Sequence, residues 1–186
     1  CQIRRLLSRY NVHKNVLAAS QRVIRQDPVK KEGYSQHFKT FTLAVAGRDV
    51  GFERFEKENL LEHLRAFLTI IKLLNASGEY AISDIAVAIS DVSKRPGLLE
   101  AIDEDVLKEL KEVFTETTFT VDNERTSNYY KSLCYSIAAR VAQDGAPMSI
   151  AGGGITAWTE TLVGSKKERL LVGSIGSETI CRHFKK

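Results

Sequence analysis

Four groups of residues in this chain are of types that do chemistry. Cys1 carries a thiol beside a free α-amine, the arrangement of an N-terminal nucleophile that uses its own amine as base. Such nucleophiles sit at a sheet edge, whereas Cys1 leads into a helical pattern, so a processed or truncated start accounts for it more simply. Arg4, Arg5, Arg9, Arg22, Arg25, Lys30 and Lys31 form a basic cluster suited to phosphates or to an acidic protein surface. Tyr10, Tyr34 and His37 lie among these cations and could stack on bases or anchor an interface. Gly152-Gly153-Gly154 would let backbone N–H groups approach an anion. No Gly-Lys-Ser/Thr follows, however, and the dinucleotide fingerprint is missing, so the run reads as a connector. Cys181-Arg-His183 offers two potential metal ligands without a second pair at metal spacing. Cys134 falls on an apolar stripe, and His13, His37 and His63 are scattered. No catalytic residue, metal or cofactor is expected from these patterns.

The elements that position these groups are set by charge and hydrophobic pattern. Residues 1–40 hold nine basic and two acidic side chains, residues 41–124 nine and seventeen, and residues 125–186 nine and four. The net charge of +4 therefore conceals two basic ends around an acidic middle. Such segregation points to polyanions or to complementary contacts within or between chains. At 186 residues the chain fits one domain and can bury a core without disulfides or metal. Three widely spaced cysteines favour a reducing, cytoplasmic setting, and no apolar run is long enough to cross a membrane.

Periodicity then predicts the elements. Residues 2–26 read as an amphipathic helix, with Asp27-Pro28 ending it. Residues 38–45 alternate as a strand, and a short second strand is expected around Val50–Phe52. Asn59-Leu-Leu-Glu62 has capping-box spacing and opens a helix to Leu74 with a wide apolar face. Further helices are expected from Ser83 to Val92, from Asp103 to Phe114 and over 126–143. Residues 115–121, 155–163 and 169–175 read as strands, the last two as a hairpin, and residues 145–154 as a loop. The tail from Thr179 reads as a third short strand or a frayed end.

Phe67 to Ile89, an apolar helix followed by a glycine turn and a Ser-capped Ile-Ala segment, resembles the first two helices of winged-helix regulators. The resemblance implies that the next segment enters a major groove. Here that segment holds Lys94-Arg95-Pro96-Gly97, and its proline and glycine would interrupt a recognition helix.

Together these features predict an α+β fold with a helical core of about five helices and a small, mainly antiparallel sheet. One domain spans residues 1–186, with residues 1–27 a protruding or docking helix. The functional expectation is a non-enzymatic interaction or assembly domain that self-associates or docks on a protein partner. Nucleic-acid contact through the N-terminal helix is a sub-case. The alternative is an enzyme whose site assembles near Gly152–Gly154, with Cys134 or His183 contributing.

Overall fold

The computed structural model describes residues 14–25, 35–141 and 145–186. Cys1, Arg4, Arg5, Arg9, Lys30 and Lys31 lie outside the described residues. A mixed seven-stranded sheet dominates, in the order β1-β2-β7-β6-β5-β3-β4. Its strands are β1 (Lys14–Ile24), β2 (His37–Arg48), β3 (Ser83–Asp91), β4 (Thr118–Val121), β5 (Leu133–Arg140), β6 (Pro147–Thr156) and β7 (Glu168–Ile175). Neighbours run antiparallel except β3 and β4, which are parallel. Helix α1 spans Arg54–Ala76. The helical stretch α2 joins Leu98–Ile102, a π turn over Asp103–Leu107 and Lys108–Val113. Two short helices follow, α3 (Trp158–Val163) and α4 (Ser177–His183).

The expected helical core with a small sheet is therefore overturned, because three of its helices are strands. β1 occupies residues expected to be helical, and its register with β2 runs from Lys14 opposite Gly47 to Ile24 opposite His37. Residues 83–91 form β3, so the winged-helix resemblance fails at its second helix. Residues 133–140 form β5. The reason lies in a spacing common to both periods. Leu133 and Ile137 are four apart, which keeps them on one face of a helix and equally on one face of a strand. Leu133, Tyr135, Ile137 and Ala139 are all buried, which is the period-two pattern.

Other expectations fare differently. Strands over 38–45, 115–121 and 169–175 correspond to β2, β4 and β7. Residues 145–154, expected to loop, supply most of β6. Much of the expected strand 155–163 is α3, and the tail is α4. No strand forms at Val50–Phe52, where Gly51, Phe52 and Glu53 take positive φ and turn the chain into α1. That helix begins well before Asn59, which is buried inside it and donates to the Phe55 carbonyl at 2.5 Å.

Pairing registers place Phe41, Ile175, Ala151, Ile137 and Val87 in one row across the sheet. This row and the next, which includes Tyr135 and Ile89, face α1. Leu60, Leu64, Phe67, Leu68 and Ile71 of α1 close over them, joined by Leu98, Ile102, Val106 and Leu110 of α2. The alternate positions, Thr42, Ser174, Gly152 and Ser136, form a small and polar row on the opposite face. One face of the sheet is thus committed to the core, and the other is left accessible and hydrogen-bonding.

Candidate nucleic-acid interface

The polar face carries a cleft of about 260 Å³. Ser136, Gly152 and Ser174 of the polar row line it, together with Gly176, Thr179 and the aromatic residues Phe38, Tyr130 and Tyr135. Arg25 and Arg125 line it, and no carboxylate is among its described lining residues. Such a surface suits an anion that also presents a flat ring.

Each cation is positioned by a local device. Arg25 follows the end of β1, where its N–H donates to the Gln36 carbonyl at 2.9 Å. Its guanidinium lies 4.6 Å from the centre of the Phe38 ring, a cation–π geometry. Arg125 sits in the loop between β4 and β5. The Asp122 carboxylate accepts from the backbone N–H groups of Glu124 and Arg125 at 3.0 and 3.2 Å, a turn that fixes this loop. The loop is tied to the sheet by Lys131 N–H donating to the Ile155 carbonyl at 2.8 Å.

Beside the cleft, the glycine run of β6 leaves no room for side chains. A Cβ at Gly154 would fall 2.6 Å from the Tyr130 ring and 2.7 Å from Cys134 Cβ, so the tyrosine needs glycine beneath it. A Cβ at Gly153 would fall 2.5 Å from the Val172 carbonyl oxygen. These glycines serve close packing inside a paired strand, not the freedom of a connector. Burial pushes the Tyr130 hydroxyl above the ordinary tyrosine range, with the neighbouring Tyr129 adding to the rise and Arg125 opposing it.

The sequence-derived candidates are distributed unevenly around this cleft. Arg25 lines it, whereas Arg22 is exposed on β1 and is not part of the lining. The site does lie beside Gly152, as the enzyme alternative supposed, but neither Cys134 nor His183 lines it. Cys134 is buried, and burial raises its thiol pKa. Among the described residues no group of three or more His, Cys, Asp or Glu could hold a metal ion. Arg125 and Tyr130 were missed by sequence reading. The clustered polar residues around them give no periodic signal, and residues 126–143 read as helix from sequence.

Comparison with known proteins bears on the fold. No protein-family profile matches the sequence, and no curated protein matches it. Solved structures do match. The apo histidyl-tRNA synthetase of S. aureus superposes with a TM-score of 0.59 at 18% identity, over 90% of this chain and 43% of its own. The RNA binding domain of threonyl-tRNA synthetase from Cryptosporidium parvum gives a TM-score of 0.60 at 7% identity, over 98% and 47%. An ATP phosphoribosyltransferase regulatory subunit/histidyl-tRNA synthetase from Bacillus halodurans gives 0.58 at 11%, over 100% and 63%. The likeness to each of these structures is one of fold. The chain spans less than two thirds of each of these three structures.

This likeness overturns the expectation of a protein-assembly domain. Part of the charge on which that expectation rests is also matched within the chain. Lys14 of β1 pairs with Glu62 at 2.8 Å, Lys57 with Asp105 at 2.9 Å, Lys111 with Asp103 at 2.8 Å and Arg169 with Asp49 at 2.6 Å. Arg65 also pairs with Glu109. No helix among the described residues is long and apolar enough to cross a membrane.

Proposed function

We propose that this chain is a tRNA-synthetase-like domain that binds RNA, receiving a nucleotide of the RNA in the cleft on its polar sheet face. The observation that carries this reading is that Arg25 and Arg125 both line one cleft, with no carboxylate among its described lining residues. Phosphate oxygens would meet the two guanidiniums, and a base would stack against Phe38 or Tyr130. The neighbouring folds support it, because those proteins are tRNA synthetases or an RNA binding domain of one. The basic residues Arg4, Arg5, Arg9, Lys30 and Lys31 are proposed to add phosphate contacts, which would steepen the salt dependence.

Filter binding with a bulk tRNA preparation tests this. The wild-type protein is expected to bind. Arg25→Ala and Arg125→Ala are each expected to weaken binding about tenfold and to reduce the salt slope by about one. Arg22→Gln, a change of an exposed cation outside the cleft, is the control and should act less. Absence of binding, or equal loss in all three variants, would overturn the cleft as the RNA site.

A further inference from the structure

The turn from β2 into α1 holds an apolar tip out in solvent. Phe52 is 90% exposed and Val50 56%, and Phe52 is the most exposed large apolar side chain among the described residues. Its backbone sits at φ 56°, between Gly51 at 89° and Glu53 at 51°. Left-handed φ is costly for a bulky residue, and such conformations concentrate at binding sites. Hydrogen bonds fix the turn from both sides. Gly51 N–H donates to Asp49 Oδ1 at 2.8 Å, and Arg54 N–H donates to the Gly51 carbonyl at 3.2 Å. Asp49 N–H donates to the Lys167 carbonyl at 2.7 Å, which ties the tip to the turn between α3 and β7.

That tie brings Lys166 and Lys167 beside the tip, while Arg48 precedes it and Arg54 follows it. All four cations are exposed, and their side chains have no ion-pair partner among the described residues. The nearby carboxylates are taken or buried. Asp49 pairs with Arg169 at 2.6 Å, Glu53 lies 4.0 Å from Lys57, and Glu168 is buried. Elsewhere Lys14, Lys57 and Lys111 each meet an acid within the chain. Four unmatched cations around an exposed ring fit a polyanion that also carries flat apolar groups. A nucleic acid has this chemistry, with phosphates for the cations and an unstacked base for the ring.

We propose that this tip is a second RNA contact, in which phosphates meet Arg48, Arg54, Lys166 and Lys167 and an unpaired base stacks on Phe52. The proposal rests on the RNA reading of the cleft, yet none of these five residues lines that cleft. β2 runs from the cleft at Phe38 to the tip at Arg48, roughly 30 Å at the usual rise per residue of a strand. Only an RNA long enough to span that distance engages both places.

Fluorescence anisotropy of the full chain with labelled bulk tRNA and with a labelled single-stranded trinucleotide, too short to span the two places, tests this. The double variant Lys166→Ala, Lys167→Ala is expected to weaken tRNA binding about tenfold and to lower the salt slope by about two. Phe52→Ala should weaken it about fivefold with the salt slope unchanged. Both should leave trinucleotide affinity as in wild type, whereas Arg25→Ala should weaken both ligands. If the tip variants bind tRNA as wild type does while Arg25→Ala is impaired, the tip contact is overturned and the cleft stands. If wild type binds no tRNA, both fall. Equal losses on tRNA and trinucleotide in the tip variants also overturn the proposal. So does a loss confined to phosphatidylserine vesicles, which would assign the tip to a lipid surface.

Discussion

Replacing Gly173 by alanine is expected to lower the unfolding free energy by about 3 kcal/mol, the upper end for overpacking a well-filled core. Gly173 lies on β7 where the sheet meets α1. A Cβ there would fall 2.0 Å from the Tyr135 hydroxyl, 3.0 Å from His63 Nδ1 and 3.1 Å from the Phe67 ring. Tyr135, His63 and Phe67 are at most 1% exposed, so none of them can swing into solvent to make room. The tyrosine crosses beneath Gly153 and Gly173 to place its hydroxyl 3.3 Å from His63 Nδ1. Its ring packs with centroids 6.4 Å from Phe67 and 6.5 Å from His63. Urea unfolding of Gly173→Ala, Tyr135→Phe and the double variant separates the causes. Removing the hydroxyl should recover most of the loss, so the double variant should be more stable than Gly173→Ala alone. A Gly173→Ala protein as stable as wild type would show that the tyrosine does not run under β7.

The second large effect is acid sensitivity from His63. Burial lowers its pKa from 6.5 to about 4, with the Glu62 carboxylate opposing the shift and Lys14 reinforcing it. The imidazole is therefore neutral in the folded protein at neutral pH, while in the unfolded chain it takes up a proton below about 6.5. Between these two values the unfolded state binds more protons, so stability falls as pH falls. The loss begins near pH 6.5, proceeds at about 1.4 kcal/mol per pH unit, reaches about 3 kcal/mol in all and levels off below pH 4. Unfolding free energies at pH 7.5 and 5.5 should therefore differ by about 1 kcal/mol more in wild type than in His63→Leu, which has no proton to gain. Equal pH dependence in the two proteins would remove His63 as the source.

These two residues show where sequence reading stops. His63 was one scattered histidine on an apolar helix, and nothing local marked it as lying against a tyrosine 72 positions away. Tyr135 reads as helical from sequence because Leu133 and Ile137 recur at a spacing that helices and strands share. The same ambiguity misassigned β3, whose Ile85 and Ile89 are also four apart and whose alanines favour helix.

What the sequence determined by itself were the elements with an unambiguous period. The long apolar stripe of Leu60, Leu64, Phe67, Leu68 and Ile71 could only be a buried helix, and β2 and β7 carried strand composition. Arg25 was legible as a candidate ligand residue because charge clusters survive in one dimension. Tertiary structure decided the rest. The glycines of β6 read as a connector because their neighbours are remote in sequence. Pairing with β5 and β7 satisfies their backbone, and Tyr130, Cys134, Tyr135 and the backbone of β7 leave no room for a Cβ at Gly153 or Gly154. The cleft joins Arg25 to Arg125, a hundred residues apart, because antiparallel pairing brings distant strands side by side. Composition sets which residues can form a core, but which face of a sheet stays open is fixed by register, and register is a property of strand pairs.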